Sequence, residues 1–257
     1  MSAAYQGGPH ELGQNFLVAS SVIGTITDLV ARTSGPIVEL AAGDGALTVP
    51  LSRSGRPITA VELDPKRARR LQRRVTSNVT IVHADLLRFR LPQHPHVVVA
   101  NLPFHLTTSS LKRLLPARGW QSAILLMQWE VARRRAGVGG ATLLTAQWWP
   151  WYEFRLHSRV PARAFRPVPA VDGGLLTMTR RAHPLVTERA AYQRFVRDVF
   201  TGPGRGVHDV LRRTGHIDRA ALRKWLQKHQ VSPHALPKDL DAQHWASLWR
   251  QTSRATS

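Results

Sequence analysis

Short runs of apolar, largely β-branched residues recur along the first two thirds of the chain. They are Pro36–Leu40, Ile58–Glu62, Val79–Val82 and His96–Ala100, followed by Ala123–Met127, Glu153–Val160 and Gly174–Thr179. Segments with helical periodicity lie between them; in Pro65–Val75, Ala68, Leu71 and Val75 fall on one face among five arginines. Strands that alternate with helices predict an α/β domain built on a mostly parallel sheet flanked by helices. Near Arg180–Pro184 the pattern changes. Beyond it the spacing predicts amphipathic helices over Glu188–Phe200, Val207–Arg213, Arg219–Gln230 and Ala242–Gln251, and no strand-like run occurs. Thr201–Gly206 and Ser232–Pro233 separate them as turn and breaker signals. The expected organisation is a doubly wound domain over residues 1–182 and a small all-helical domain over 183–257.

Composition narrows the classes of function. A 43% hydrophobic chain of 257 residues can bury a sizeable core. Nowhere does an apolar run approach the length of a membrane span, and Met1–Leu12 is polar, without the apolar region of a secretory signal. The chain has no cysteine, which removes disulfides, thiolate nucleophiles and cysteine-ligated zinc together. A cytoplasmic monomer is expected, with no metal and no membrane partner. The formal charge of +20 comes from 36 Lys+Arg against 16 Asp+Glu, and only five of the basic residues are lysine. Wealth in Arg, Ala, Gly and Pro fits a GC-rich coding sequence, but that bias does not make carboxylates scarce. A protein so charged binds polyanions. No basic amphipathic stretch with an aromatic face stands out, so nucleic acid is expected ahead of a membrane.

The candidate chemistry sits at the ends of the predicted strands. Glu39-Leu40-Ala41-Ala42-Gly43-Asp44-Gly45-Ala46-Leu47-Thr48 follows the first run. A strand that ends in a glycine turn lets backbone approach a nucleotide-like ligand, although a plain tight βα turn has the same look. Thr48 stands where the dinucleotide fingerprint needs its third glycine, and no phosphate-binding P-loop motif is present. Glu62 ends the second run, and Asp85 lies as far beyond Glu62 as Glu62 lies beyond Glu39. Equal spacing in a doubly wound sheet lines such residues along its carboxyl edge. There a carboxylate can hold both hydroxyls of a ribose or accept from an exocyclic amine; the alternative for each is a helix cap or a solvated turn.

Asn101-Leu102-Pro103-Phe104 follows the fourth run directly. An amide, a constrained turn and an aromatic ring suit the methylation of an exocyclic amine. The lone pair of adenine N6 is delocalised into the ring and is a poor nucleophile. Hydrogen bonds from its protons to the Asn101 side-chain oxygen and a nearby backbone carbonyl would draw it toward tetrahedral geometry, with Pro103 holding the turn. Phe104 offers a face for the base, and such stacking contributes about 1–3 kcal/mol. That offsets part of the few kcal/mol needed to extrude a base.

With these residues the sequence resembles the rRNA adenine N6-dimethyltransferases, which include Erm macrolide-resistance enzymes and KsgA-type ribosome-assembly enzymes. The matching stretches are Leu12–Leu17, Glu39–Thr48, Val61–Asp64, His83–Leu86, Asn101–Phe104, Gln128–Ala132 and Phe165–Pro169, in family order. The resemblance implies a Rossmann-like methyltransferase domain and S-adenosylmethionine as methyl donor, leaving S-adenosylhomocysteine. It implies cofactor binding by Gln14, Asn15, Leu17, Glu39, Gly43, Gly45, Glu62, Leu63, Asp85, Leu86 and Asn101, with Glu62 on the ribose and Asp85 on the adenine amine. Asn101, Leu102, Pro103 and Phe104 would hold the target adenine, and Phe165 matches a family aromatic near the same base.

Two departures are visible: Phe104 stands where many relatives carry tyrosine, and Arg133–Gly140 replaces a tyrosine-glycine stretch. The latter reads as a basic loop able to touch phosphates or as a solvated connection. Trp148, Trp149 and Trp151 suit core packing better than an RNA platform. Arg194, Arg197, Arg212 and Arg213 read equally as RNA surface or as a solvated face.

The Ala41–Gly45 loop, Gln147–Trp151 and the arginine-rich character look most like actinobacterial Erm enzymes. That resemblance implies methylation of one adenine in the peptidyl transferase region of 23S rRNA, in protein-free or early-assembly form, and resistance to macrolides, lincosamides and streptogramin B. A KsgA-type enzyme acting on 16S rRNA and a non-catalytic nucleic-acid binder on the same fold are the alternatives.

Overall fold

In the computed structural model, residues 15–253 are described. In chain order the elements are β1 (Phe16–Leu17), α1 (Ser20–Ala31), β2 (Ile37–Leu40), α2 (Thr48–Ser52), β3 (Ile58–Glu62), α3 (Pro65–Gln72), β4 (Val79–His83), β5 (His96–Asn101), α4 (Thr107–Leu114), β6 (Trp120–Gln128), α5 (Trp129–Arg135), α6 (Leu143–Trp148), β7 (Tyr152–Val160), β8 (Phe165–Arg166), β9 (Gly173–Arg180), α7 (Arg189–Thr201), α8 (Val207–Thr214), α9 (Arg219–Lys228) and α10 (Ala242–Ser253).

Seven strands form one sheet in the order β4-β3-β2-β5-β6-β9-β7, and β1 pairs separately with β8. The β2–β3, β2–β5, β3–β4 and β5–β6 pairs are parallel. Every residue of β2 is buried, as expected of a central parallel strand covered on both faces. The doubly wound α/β class and its helix-flanked, mostly parallel sheet are therefore what the chain adopts. Chain order reverses between β2 and β5, the switch point at which a crevice opens beyond the strand ends.

Local sequence explains where elements stop. Asp64 caps α3 by accepting from the Lys66 and Arg67 amides, and Pro65 occupies the first turn, where its missing N–H is no loss. Ala68 and Leu71 are the buried face of this helix. It ends at Gln72 rather than reaching Val75, because the Arg73 amide turns back to the Arg70 and Leu71 carbonyls.

The chain divides into two compact units, the described residues up to Ala132 with Leu156–Met178, and Arg133–Arg155 with the described residues from Thr179 onward. The division differs from the expected one at residue 182, because Arg133–Arg155 groups with the C-terminal helices. Inside that second unit, the Tyr192 hydroxyl donates to the Ala146 carbonyl at 2.9 Å. The side-chain amides of Gln147 and Gln193 each donate to the other residue's carbonyl, at 3.0 and 3.2 Å.

Trp148 is buried and meets Trp151 edge to face at 6.3 Å, and Trp151 meets Tyr192 at 5.6 Å. The tryptophan cluster is thus core. Arg133–Gly140 is not simply a loop: α5 runs to Arg135, whose buried guanidinium donates to the Thr142 hydroxyl. The C-terminal helices fall within a few residues of their expected bounds. Gly215 ends α8 in the left-handed conformation, and Asp218 caps α9. Among the described residues no helix is long and apolar enough to cross a membrane.

Candidate active site

A cleft of about 290 Å³ opens at the carboxyl ends of β2, β3 and β5, the expected place for a ligand on this sheet. Among the residues expected at the site, Asn15, Leu17, Glu39, Gly43, Glu62, Asn101 and Pro103 line it. Gly45, Leu63, Asp85, Leu86, Leu102, Phe104 and Phe165 are not part of its lining, and Gln14 lies outside the described residues.

Glu62, the last residue of β3, is 3% exposed, and its carboxylate is held on both sides. Oε2 accepts from the Gly43 amide at 2.7 Å and Oε1 from the Asp64 amide at 2.9 Å. Each oxygen keeps a lone pair, so the carboxylate is oriented and can still accept two hydroxyls.

The loop before α2 is shaped by backbone that few side chains tolerate. Gly43 has φ +58° and Gly45 φ +85°, and a Cβ on Gly45 would lie 2.4 Å from Leu71 Cδ1. Ala41 also has a positive φ of 58°, unusual for a residue with a Cβ and one of the strained conformations that gather at binding sites.

Sequence reasoning passed over the group that fixes this loop. Asp44 pairs with Arg67 and lies 3.7 Å from Arg70, while its carbonyl accepts from Arg74 at 2.7 Å. The Arg67 guanidinium also lies 4.2 Å from the centre of the Phe16 ring. An acid between the two glycines, followed by an arginine-rich helix, was the signal available.

Asp85 sits two residues past β4. Its Oδ1 accepts from the Leu87 amide at 2.8 Å, which is the capping arrangement of a turn, and Oδ2 stands 3.8 Å from Arg88. Leu63 is 48% exposed, and its carbonyl is paired with His83.

Asn101 ends β5 beside the cleft. Its Nδ2 donates to the Asn15 carbonyl at 2.9 Å, and its Oδ1 is buried without a partner. That donor settles which end of the amide is which, so Asn101 Oδ1 is a fixed, desolvated acceptor. The Leu102 amide donates to the Leu126 carbonyl, Pro103 is extended, and Phe104 begins a short 3-10 turn. Phe104 is half-buried and meets Phe165 edge to face, with centroids 5.7 Å apart. Phe165 itself is 0% exposed. It backs Phe104 and faces no open space in this geometry. The strand pair β1–β8 seats Leu17 opposite Phe165, and the Val18 amide donates to the Ala164 carbonyl at 2.9 Å.

Glu39, inside β2, is 2% exposed with Oε2 unpartnered, and burial pushes its carboxyl from 4.5 up to about 8. The folded chain therefore keeps a proton that the unfolded chain releases across that window. Stability falls as pH rises from 4.5 to about 8 and levels off above it. Glu39→Gln is expected to remove this part of the slope. Thermal melts of both proteins from pH 5 to 9 check it, and parallel curves would count against the assignment.

The oriented Glu62 carboxylate and the glycine turn fit a cofactor bearing a ribose, and the unpartnered Asn101 Oδ1 offers an acceptor for an amine. Among the described residues no cluster of three acidic or histidine side chains is placed to hold a metal ion.

The chain matches the family described as ribosomal RNA adenine dimethylase over residues 8–252. It is 53% identical over 247 residues to the mycinamicin-resistance protein MyrB of Micromonospora griseorubida, covering 95% of this chain and 79% of that one. It is 54% identical over 216 residues to an rRNA adenine N-6-methyltransferase of Corynebacterium diphtheriae, covering 83% and 85%. The crystal structure of the 23S rRNA methyltransferase ErmE superposes with a TM-score of 0.86 at 29% identity, over 93% of this chain and 100% of that one.

Proposed function

The chain belongs to the ribosomal RNA adenine dimethylase family, and from that membership we propose that it methylates the exocyclic N6 of one adenine in the peptidyl transferase region of 23S rRNA. The activity is that of an S-adenosylmethionine-dependent rRNA adenine N6-methyltransferase, the cofactor supplying an electrophilic methyl group. Likeness to a protein named for mycinamicin resistance and to a 23S rRNA methyltransferase supports the 23S assignment. Added bulk on N6 obstructs a drug that docks there, which gives macrolide, lincosamide and streptogramin B resistance.

The observation that carries this reading is the unpartnered Asn101 Oδ1. It accepts one proton of the target amine while the Leu102 carbonyl accepts the other, and the base stacks on Phe104. Together these contacts draw the nitrogen lone pair out of conjugation. No general base is needed beforehand, because the proton leaves once the nitrogen has become cationic. Asn15 keeps the Asn101 amide from rotating. Glu62 takes the cofactor ribose, Gly43 and Gly45 let backbone approach it, and Leu17, Leu63, Asp85 and Leu86 complete the expected cofactor contacts. Asp85 serves the adenine amine through Oδ2, since Oδ1 is engaged by Leu87.

The test is methyl transfer from labelled S-adenosylmethionine to protein-free 23S and 16S rRNA, with primer extension to locate the product. A single stop in the peptidyl transferase loop is expected. Label in 16S rRNA or assembly intermediates would move the chain to the KsgA-type branch. Tight RNA binding with no label would favour a non-catalytic binder.

A further inference from the structure

Arg159, near the end of β7, is an exposed cation held in one orientation. Its Nε donates to Asp172 Oδ2 at 2.6 Å, and its guanidinium lies 5.5 Å from the centre of the Trp129 ring. Asp172 is itself pinned, with Oδ1 accepting from the Ala162 amide at 2.8 Å and its carbonyl accepting from the Trp129 amide at 2.9 Å. Close approach on this side depends on Gly174, where a Cβ would lie 2.7 Å from the Ala132 Cβ and 3.2 Å from the Trp129 Cα. Asp172 therefore joins the end of β7 through its carboxylate, and the end of β6 through its carbonyl, to the start of β9.

Among the described residues, Nε is the one nitrogen of Arg159 with a hydrogen-bond acceptor, and the side chain is 62% exposed. A guanidinium held through Nε beside an indole presents its two terminal amino groups as a fork, the shape that grips two oxygens of one phosphate. An exposed ion pair of this kind adds little to stability, so the ordering of the fork calls for another use.

The position suggests that use. Gly173, next to Asp172, packs under Phe165, where a Cβ would lie 3.0 Å from the ring, and Phe165 touches Phe104. The fork is thus linked by contacts within one compact unit to the pocket that takes the target base. A base drawn out of its helix leaves flanking phosphates at the mouth of such a pocket.

We propose that Arg159, oriented by Asp172 and Trp129, grips a backbone phosphate of the RNA strand flanking the target adenine. The inference rests on the RNA-methylating reading above. Arg159 acts as a substrate-binding residue, and Asp172 and Trp129 position it.

The experiment compares wild type, Arg159→Gln, Arg159→Lys and Asp172→Asn on a 23S rRNA fragment. RNA affinity is read across a salt series, alongside KM, kcat and cofactor affinity. Losing one phosphate contact makes the log Kd against log salt plot shallower by about 0.7–0.9. Arg159→Gln is expected to show that change, with a several-fold higher RNA KM and unchanged kcat and cofactor affinity. Arg159→Lys restores the salt slope without the full affinity. Asp172→Asn keeps the Arg159 cation but loosens its orientation, so it raises KM without making the slope shallower. It also serves as the second readout should Arg159→Gln fold poorly. An unchanged slope and KM in Arg159→Gln, or losses that follow cofactor affinity and melting temperature alone, would overturn the phosphate role and leave the methyltransferase reading standing. A wild type that methylates no RNA would overturn both.

Discussion

Asn101→Ala is expected to abolish detectable methylation while RNA and cofactor still bind. Removing one fixed polar contact to developing charge costs roughly 10²–10³-fold in kcat. The loss here belongs at the upper end, because the acceptor is buried and its amide is locked by the Asn15 carbonyl. Asn101→Asp probes the same point differently. An aspartate keeps an oxygen acceptor, but as a carboxylate it has no N–H for Asn15, so the group loses its fixed orientation. Single-turnover methyl transfer with saturating RNA, together with separate RNA binding curves, decides the matter. Full turnover by Asn101→Ala would refute the role, and loss of RNA binding in parallel with activity would make the residue structural.

Glu62→Ala is expected to have the second largest effect, on cofactor affinity rather than on the chemical step. The substitution removes the acceptor of both the Gly43 and the Asp64 amides. Hydrogen bonds to a charged group contribute about 1.5–3 kcal/mol each, and orphaned buried donors add their desolvation cost. The glycine loop loses its tie to β3 along with its ribose acceptor, so a cofactor Kd raised by about 100-fold or more follows from some 3 kcal/mol. Calorimetric titration with S-adenosylhomocysteine measures this directly. Glu62→Gln separates the two losses: it keeps one oxygen, offers a donor where the other amide donor stands, and should bind nearly as poorly. Wild-type affinity in Glu62→Gln would show that the carboxylate is not the ribose acceptor.

The parallel sheet was legible because β2, β3, β4 and β5 are short apolar runs, and such runs carry their own signal. The paired strands β1 and β8 have two residues each, too few for any period, and what places them is a partner far along the chain. The same holds for the unit boundary. Gln147 and Gln193 exchange hydrogen bonds across 46 positions, and neither residue type announces such a partner.

At the site, Glu62 and Asn101 could be found because each ends a strand beside a glycine or proline turn. Asp85 is singled out by its spacing and by the His83–Leu86 resemblance, and neither tells a ligand contact from the cap that its Oδ1 makes with Leu87. Phe165 was expected near the base, and its ring is fully buried behind Phe104. A sequence shows that an aromatic is present and not which way its face is turned. Asp44 was passed over because its work is to hold arginines from a helix more than twenty positions away.

One hydrogen bond in this site has a thermodynamic corollary. Asn15 lies in the wall of the cleft, and the Asn101 amide that its carbonyl holds carries the acceptor proposed for the target base. A change at Asn15 on cofactor binding would be felt at Asn101, and linkage would make that influence equal in both directions, so cofactor and base would alter each other's affinity by one common factor.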